Sequence, residues 1–314
     1  MTFDKYVAYK AEPETQGREM KVFEFTTPLK ANAPLKLGLF SDIHWDSPDC
    51  DRESLKAHFD YCLQDGRYIL VNGDFFDAIL LKDAKRAVPH NIERADNQLN
   101  VKLEESAHFL DPYKNNILFM GRGNHESSVI KFNGLDLLQM LTTMLNAGNK
   151  HKIQYGNYAN FIRLSWLNSG GRQVLHYDIF AHHGAGGSAP ITKGMLDFSR
   201  ISKGTNADLI WIGHKHNALI DASDPVMYID QNGNVVLKNR QLIQTPSYQK
   251  GRTIDYNENF AERFYCHTAL SGFGELTLTP FYKDDKPQLR TDLKITTRPQ
   301  AILGAMQSAK IKSR

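Results

Sequence analysis

"NNILFMGRGNHE", residues 115–126, decides how this chain is read. Ile117, Leu118, Phe119 and Met120 make a short, continuously apolar run, the pattern of a strand covered on both faces. Two glycines then flank Arg122, and an amide, an imidazole and a carboxylate follow in order: Asn124, His125 and Glu126. Strands buried on both faces belong to βαβ units, and such units bind ligands beyond the carboxyl ends of their strands. What stands at every other strand exit is therefore the question to put to the rest of the chain.

Upstream, "LKLGLFSD" (35–42) reads as a strand that runs out into "FSDIHWD", with Asp42 and His44. "YILVNGDFFD" (68–77) is a second strand, ending on Asp74 and Asp77. Between them "DRESLKAHFDYCLQDG" has helical spacing through Leu55, His58, Phe59 and Cys62, with a glycine stop at Gly66. "NQLNVKLEESAHFLDPY" and "FNGLDLLQMLTTMLNAG" read as further helices. Beyond about residue 151 the chain becomes richer in strands. "NYANFIRLSW" alternates, "RQVLHYDIFAHHG" ends on His182 and His183, and "ADLIWIGHKHNALI" is strand, sharp turn, strand, turning at His214 and His216. "ITKGMLDFSRISKG" is a short helix, and "NVVLKN" and "GELTLTPFY" are strand-like. Alternation in the first half predicts parallel pairing there.

The bulk composition narrows the class. The chain has 314 residues, 41% hydrophobic and 23% charged, with a net charge of +3, as in an ordinary globular protein. Its three cysteines, Cys50, Cys62 and Cys266, have no paired spacing, so neither a disulfide framework nor a thiolate metal site is readable. No run approaches the roughly 18 apolar residues of a membrane span, and the first residues lack the apolar segment of a secretory signal. A cytoplasmic setting without membrane contact is the expectation.

Five successive strand exits carry carboxylate, imidazole or amide oxygen and no thiolate. Each has an everyday reading as a turn or cap; together they read as a cation site. Such ligands suit Mn, Fe, Zn or Mg. Seven of them suffice for a pair of ions, and two ions about 3.5–4 Å apart clamp the attacking and leaving oxygens of an in-line displacement. They also acidify bound water towards hydroxide near neutral pH, which is the chemistry of phosphoester hydrolysis.

The blocks "DIH", "GDFFD", "GNHE", "HHG" and "GHKH", in this order over residues 42–216, resemble the calcineurin-like metallophosphoesterases. The resemblance implies an α/β (α+β) fold: a four-layer αββα sandwich of two mixed sheets flanked by helices, occupying 35–290. Residues 1–34 would form an arm or edge strand and 291–314 a basic tail. It implies two divalent cations, Mn²⁺ foremost, with Fe, Zn or Mg as alternatives. Asp42, His44 and His216 would hold one; Asn124, His182 and His214 the other; Asp74 would bridge. His182 is preferred to His183 as the first histidine off its strand. His125 would protonate the leaving oxygen or stabilise the transition state, and Asp77 and Glu126, with His183, would orient the ligands.

The substrate implied is a phosphoester. DNA or RNA comes first, by similarity to the Mre11/SbcD nucleases rather than the protein phosphatases, whose arginine after GDxxD is Ala78 here. A monoester or a small nucleotide diester is the alternative, and a metal-stabilised scaffold without turnover a third. Arg122 either holds a phosphate or pairs with a helix end. Lys82, Lys85, Arg86 and Arg94 in the excursion at 78–96 form either a positive lip over the site or a solvated loop. Gly184, Gly186 and Gly187, with Lys193 beyond them, make either a mobile, phosphate-accessible loop or simply a flexible connection. Oligomeric state is not readable from the sequence.

Overall fold

In the computed structural model, residues 6–10, 21–78, 98–187, 194–230, 232–250 and 270–297 are described. The three apolar runs of the first half become β3 (Leu35–Phe40), β4 (Tyr68–Asn72) and β5 (Ile117–Gly121). They pair in parallel, in the order β3-β4-β5, and the two-residue β6 (Gln154–Tyr155) adds to β5. β12 (Gly272–Lys283) and β13 (Lys286–Thr297) extend the other side antiparallel, giving six strands.

The second sheet has seven strands. β1 (Tyr6–Lys10) and β2 (Lys21–Pro28) lie at one edge, and β2 runs parallel to β7 (Ala159–Leu167). β8 (Gln173–His182) pairs antiparallel with β7 and parallel with β9 (Leu209–Ile212). β11 (Val235–Gln244) follows β9 in parallel, and β10 (Leu219–Ile229) closes the other edge.

Alternation along the strands builds three apolar layers. Leu37 and Leu39 of β3, Leu70 of β4 and Leu118 of β5 meet Ile162, Trp166, Ile179, Leu209 and Trp211 between the sheets. On the outer face of the six-stranded sheet, Phe40, Val71 and Met120 pack under three helices. These are α1 (Arg52–Gln64), α2 (Gln98–Leu110) and α4 (Leu137–Asn146). Leu55, Phe59 and Cys62 of α1, three and four residues apart, form its buried stripe. On the far face Phe180, Ile210, Ile212 and Leu242 pack against Phe198 of the short α5 (Met195–Ile201). The order helices, sheet, sheet, helix is the four-layer sandwich of two mixed sheets. Each large apolar side chain so covered contributes about 1.5–3 kcal/mol against exposure.

Two elements differ from the sequence reading. α3 (Asn124–Asn133) starts at Asn124 itself, so the amide and imidazole sit in a helix's first turn and not in the turn before it. β13 carries ordered pairing with β12 through Thr297, across the division expected at 290/291. The division at 34/35 likewise follows β2, which already belongs to the second sheet. Residues 298–314, with most of the expected tail, and the cations Lys82, Lys85, Arg86, Arg94 and Lys193 lie outside the described residues, as does Cys266. Cys50 and Cys62 are buried and free. Among the described residues no helix is long and apolar enough to cross a membrane.

Candidate metal centre

The carboxyl ends of β3, β4 and β5 in one sheet and of β8 and β9 in the other converge. Backbone hydrogen bonds lace their exits together. Asp42 N donates to Gly73 O (3.1 Å), His44 N to Asp74 O (3.0 Å), and Gly213 N to His183 O (3.0 Å). To turn the side chains inward, Asp42, His44, Asp74, His214 and His216 all adopt the left-handed backbone region, with φ between 49° and 69°. L residues avoid that region at a cost of roughly 1 kcal/mol or more each. Glycine works differently here. A Cβ on Gly123 would collide with the Asp74 carboxylate, and one on Gly73 (φ 81°) with the His183 ring. These two glycines let backbone pass against the ligands.

Three overlapping trios have ligand atoms within 4.8 Å of one another: Asp42, His44 and His216; His44, Asp74 and His125; Asp74, His183 and His214. His183 Nε2 lies 3.0 Å from Asp74 Oδ2 and 3.1 Å from Asn124 Oδ1. His216 Nε2 lies 3.4 Å from His44 Nε2 and 3.4 Å from Asp42 Oδ1. Ligand atoms bound at about 2.1 Å to one cation stand roughly 3.0–3.4 Å apart at octahedral or tetrahedral angles. The spacings match coordination edges, and the clustered residues are able to hold divalent cations.

The tautomers agree. His44 Nδ1 is 3.0 Å from Asp77 Oδ1, and His183 Nδ1 is 2.9 Å from Asn72 O. Each partner accepts the Nδ1 proton, which leaves the Nε2 lone pair facing the centre, as a metal ligand requires. His125 Nδ1 lies 2.5 Å from the Asp77 carbonyl, and its Nε2 is 3.9 Å from Asp74 Oδ2.

Without a cation the charges are held by protons. Burial pushes His183 down, but Asp74 and Asp42 outweigh it and raise the imidazole to about 10. Burial pushes Asp74 up, yet His183 and His125 hold it well below the usual carboxylate range. Asp42 is likewise raised by burial and lowered on balance by His216 and His183. His214 is lowered to about 4 by burial and by the neighbouring His183. Burial and Asp74 raise Glu126 to about 7, against the backbone amides of Phe76 and Gly123 that bind it.

Among the expected ligands the structure brings together Asp42, His44, Asp74, Asn124, His214 and His216. It brings in His183 in place of His182. Along β8, Ile179 and Ala181 face the other sheet while Phe180 faces α5. The period of two therefore sends His183 inward and His182 outward. There His182 Nδ1 accepts the Gly184 N–H at 2.9 Å. Glu126 orients backbone and not a histidine: its carboxylate accepts from Asp74 N (3.1 Å), Gly123 N (2.8 Å) and Phe76 N (3.0 Å). Arg122 is turned to a helix end. It donates to Asn157 Oδ1 (2.8 Å) and lies 3.8 Å from Asp136, the N-cap of α4.

Several supporting residues escaped the sequence reading. Asp46 accepts from the backbone N–H of Asp77 (2.5 Å) and of Ala78 (2.9 Å), and Lys102 of α2 grips it from behind. "TPSYQ" (245–249), which carries no motif, lines the back of the site. Ser247 Oγ and Tyr248 N both donate to Asp42 O, and Gln249 Nε2 lies 3.3 Å from Asp77 Oδ1. Asp46, four residues after Asp42 in "DIHWD", was the one with a visible signal.

Residues 35–218 match the family model of the calcineurin-like phosphoesterases, more than half of the chain, and the protein belongs to that family. No curated protein matches it. Similar solved structures include vacuolar protein sorting 29 from Cryptosporidium parvum, 11% identical, covering 84% of this chain and 99% of that one, with a TM-score of 0.35. Another is GAP50, titled the anchor in the inner membrane complex of Plasmodium, 13% identical, covering 86% and 90%, with a TM-score of 0.38. Likenesses of this size carry no functional argument.

Proposed function

We propose that the protein is a phosphodiester hydrolase dependent on two divalent cations, with DNA or RNA as its substrate class. The observation that carries the phosphoesterase reading is the set of close spacings that joins His183 to Asp74 and Asn124, and His216 to His44 and Asp42, across the two sheets. Asp42, His44 and His216 would hold one cation, Asn124, His183 and His214 the other, and Asp74, which shares trios with both groups, would bridge. Bound there, divalent cations supply Lewis acidity to a phosphoryl oxygen and a water acidic enough to attack near neutral pH. Mn²⁺ is the first choice from a donor set of imidazole, carboxylate and amide oxygen.

The chain's own part is positioning and proton transfer. Asp77 fixes the tautomer of His44, and its carbonyl holds the His125 ring through Nδ1. His125 is part-exposed, and its Nε2 lies 3.9 Å from Asp74 Oδ2, beside the proposed bridge. From there it delivers a proton to the leaving oxygen, a contribution of about 10²–10⁴-fold in rate. The preference for nucleic acid rests on the GNH and GHxH blocks and on Lys82, Lys85, Arg86 and Arg94 just after "GDFFD".

The test is hydrolysis of bis-p-nitrophenyl phosphate beside p-nitrophenyl phosphate by metal-stripped, Mn²⁺-reconstituted protein, with His125→Ala as control, followed by labelled oligonucleotides. Faster diester turnover, lost in the control, is expected. A monoester preference would move the substrate to nucleotides or phosphoproteins. No turnover of any ester by fully metal-loaded protein would leave a binding scaffold.

A further inference from the structure

The middle residue of "GHKH" is not part of the ligand set, yet it is almost fully enclosed. Lys215 is 6% exposed. Its ammonium meets three successive carbonyls, Ala185 O at 2.5 Å, Gly186 O at 2.7 Å and Gly187 O at 2.9 Å, and Asp197 Oδ2 at 3.0 Å. The loop it grips is no loose connection. It leaves the metal centre directly after His183, and Gly184 packs so tightly on His214 that a Cβ there would lie 2.8 Å from that residue's own.

The peptide unit is planar and trans, so its N–H points opposite to its C=O. Carbonyls 185 and 186 point inward to the ammonium. The N–H groups of Gly186 and Gly187 must therefore point outward, and both residues are exposed. Successive backbone N–H groups turned to one side form an anion-binding concavity. The lysine's charge is spent on carbonyls and on Asp197, so it does not itself meet the substrate.

We propose that Lys215 is a positioning residue: it holds the 185–187 loop with its N–H groups outward beside the metal centre, where they bind phosphate oxygens of the substrate. The inference deepens the phosphoesterase reading and rests on it for the identity of the anion. It also gives the glycines at 186 and 187 a role that mobility would not. A side chain on either would narrow the approach of phosphate to the amides.

The test begins with the wild-type protein, ¹⁵N-labelled at glycine and loaded with diamagnetic Mg²⁺, titrated with inorganic phosphate. Its 22 glycines give few enough signals to assign individually. The Gly186 and Gly187 amides are expected to shift with phosphate. Shifts confined to other glycines would overturn the proposal, whatever becomes of any variant. Lys215→Met should abolish those two shifts and raise KM for the diester about tenfold, with a smaller change in kcat and unchanged Mn²⁺ affinity by calorimetry. A fall in kcat alone, with KM and the shifts retained, would also overturn it. Phosphate-dependent shifts without turnover of any ester would remove the phosphoesterase reading and leave the anion site. Turnover with both glycines silent would do the reverse.

Discussion

The proposed ligands that leave the six-stranded sheet and those that leave the seven-stranded sheet are braced by different means. Around Asp42, His44, Asp74 and Asn124 the bracing comes from carboxylates: Asp77 on His44, Glu126 on the amides of Asp74 and Gly123, Asp46 on the turn after Asp77. His183, His214 and His216 are braced largely by the other half. His183 leans on the carbonyl of Asn72, and His214 N donates to both oxygens of Asp42 (2.8 and 2.9 Å). The carboxylate braces are confined to the first half; the second half returns hydrogen bonds, from Ser247 and Tyr248 to Asp42 O and from Gln249 to Asp77. Loss of a first-half carboxylate should therefore do the wider damage.

The largest expected effect tests that asymmetry. Asp74→Ala removes the shared carboxylate and should abolish hydrolysis and Mn²⁺ binding. It also leaves the His183 imidazolium short of its nearest carboxylate in the metal-free protein, costing roughly 3 kcal/mol in urea unfolding. Binding of two Mn²⁺ ions by this variant would break the bridging assignment. Next, His183→Ala should lose one cation by calorimetry while the other still binds, and His182→Ala should keep both. The opposite pattern would return the ligand role to His182.

Asp46→Ala should weaken cation binding about 10–100-fold, the usual effect of removing a support behind a ligand, because Asp77 then loses its anchor. Unchanged affinity would show that Asp77 is held by Gln249 and the chain alone. The response to pH has a definite sign. A group raised to about 10 from 6.5 gives the metal-free fold stability that is complete below 6.5 and lost as pH rises through about 10. Cation affinity should move oppositely, because His183 must shed its proton to ligate. Calorimetry at neutral pH in buffers of different ionisation heat should detect that proton. The smallest effect belongs to Ser247→Ala, which removes one hydrogen bond to Asp42 O and should cost about 1 kcal/mol with both cations retained.

The half braced by carboxylates was the legible half. Asp42, His44, Asp74 and Asn124 stand next to apolar strands, and their supports Asp77 and Glu126 lie within three residues of a ligand. His182 and His183 could not be separated by proximity to a strand, because both are next to one. The decision lay in the alternation of β8, and that needs knowledge of which face meets the other sheet. Ser247, Tyr248 and Gln249 reach Asp42 and Asp77 from about 170–205 positions away, as ordinary loop residues. Lys215 has no signal of its own beyond its place between two histidines in "GHKH". β13 was hidden by its charged alternation, "KPQLRTDLKITT", in which only Thr296 is buried.

The five ligands held at φ between 49° and 69° carry a consequence for portability. Each is in a conformation its own residue type disfavours, and the surroundings, not the local sequence, keep it there. A peptide copied from "DIH" or "GHKH", or the same letters grafted onto another strand end, would relax away from the pose that brings its ligands together. The recurring letters identify the centre without encoding its shape. That shape belongs to the two sheets jointly, and a designer who wants it must transplant the meeting of the sheets rather than the motif.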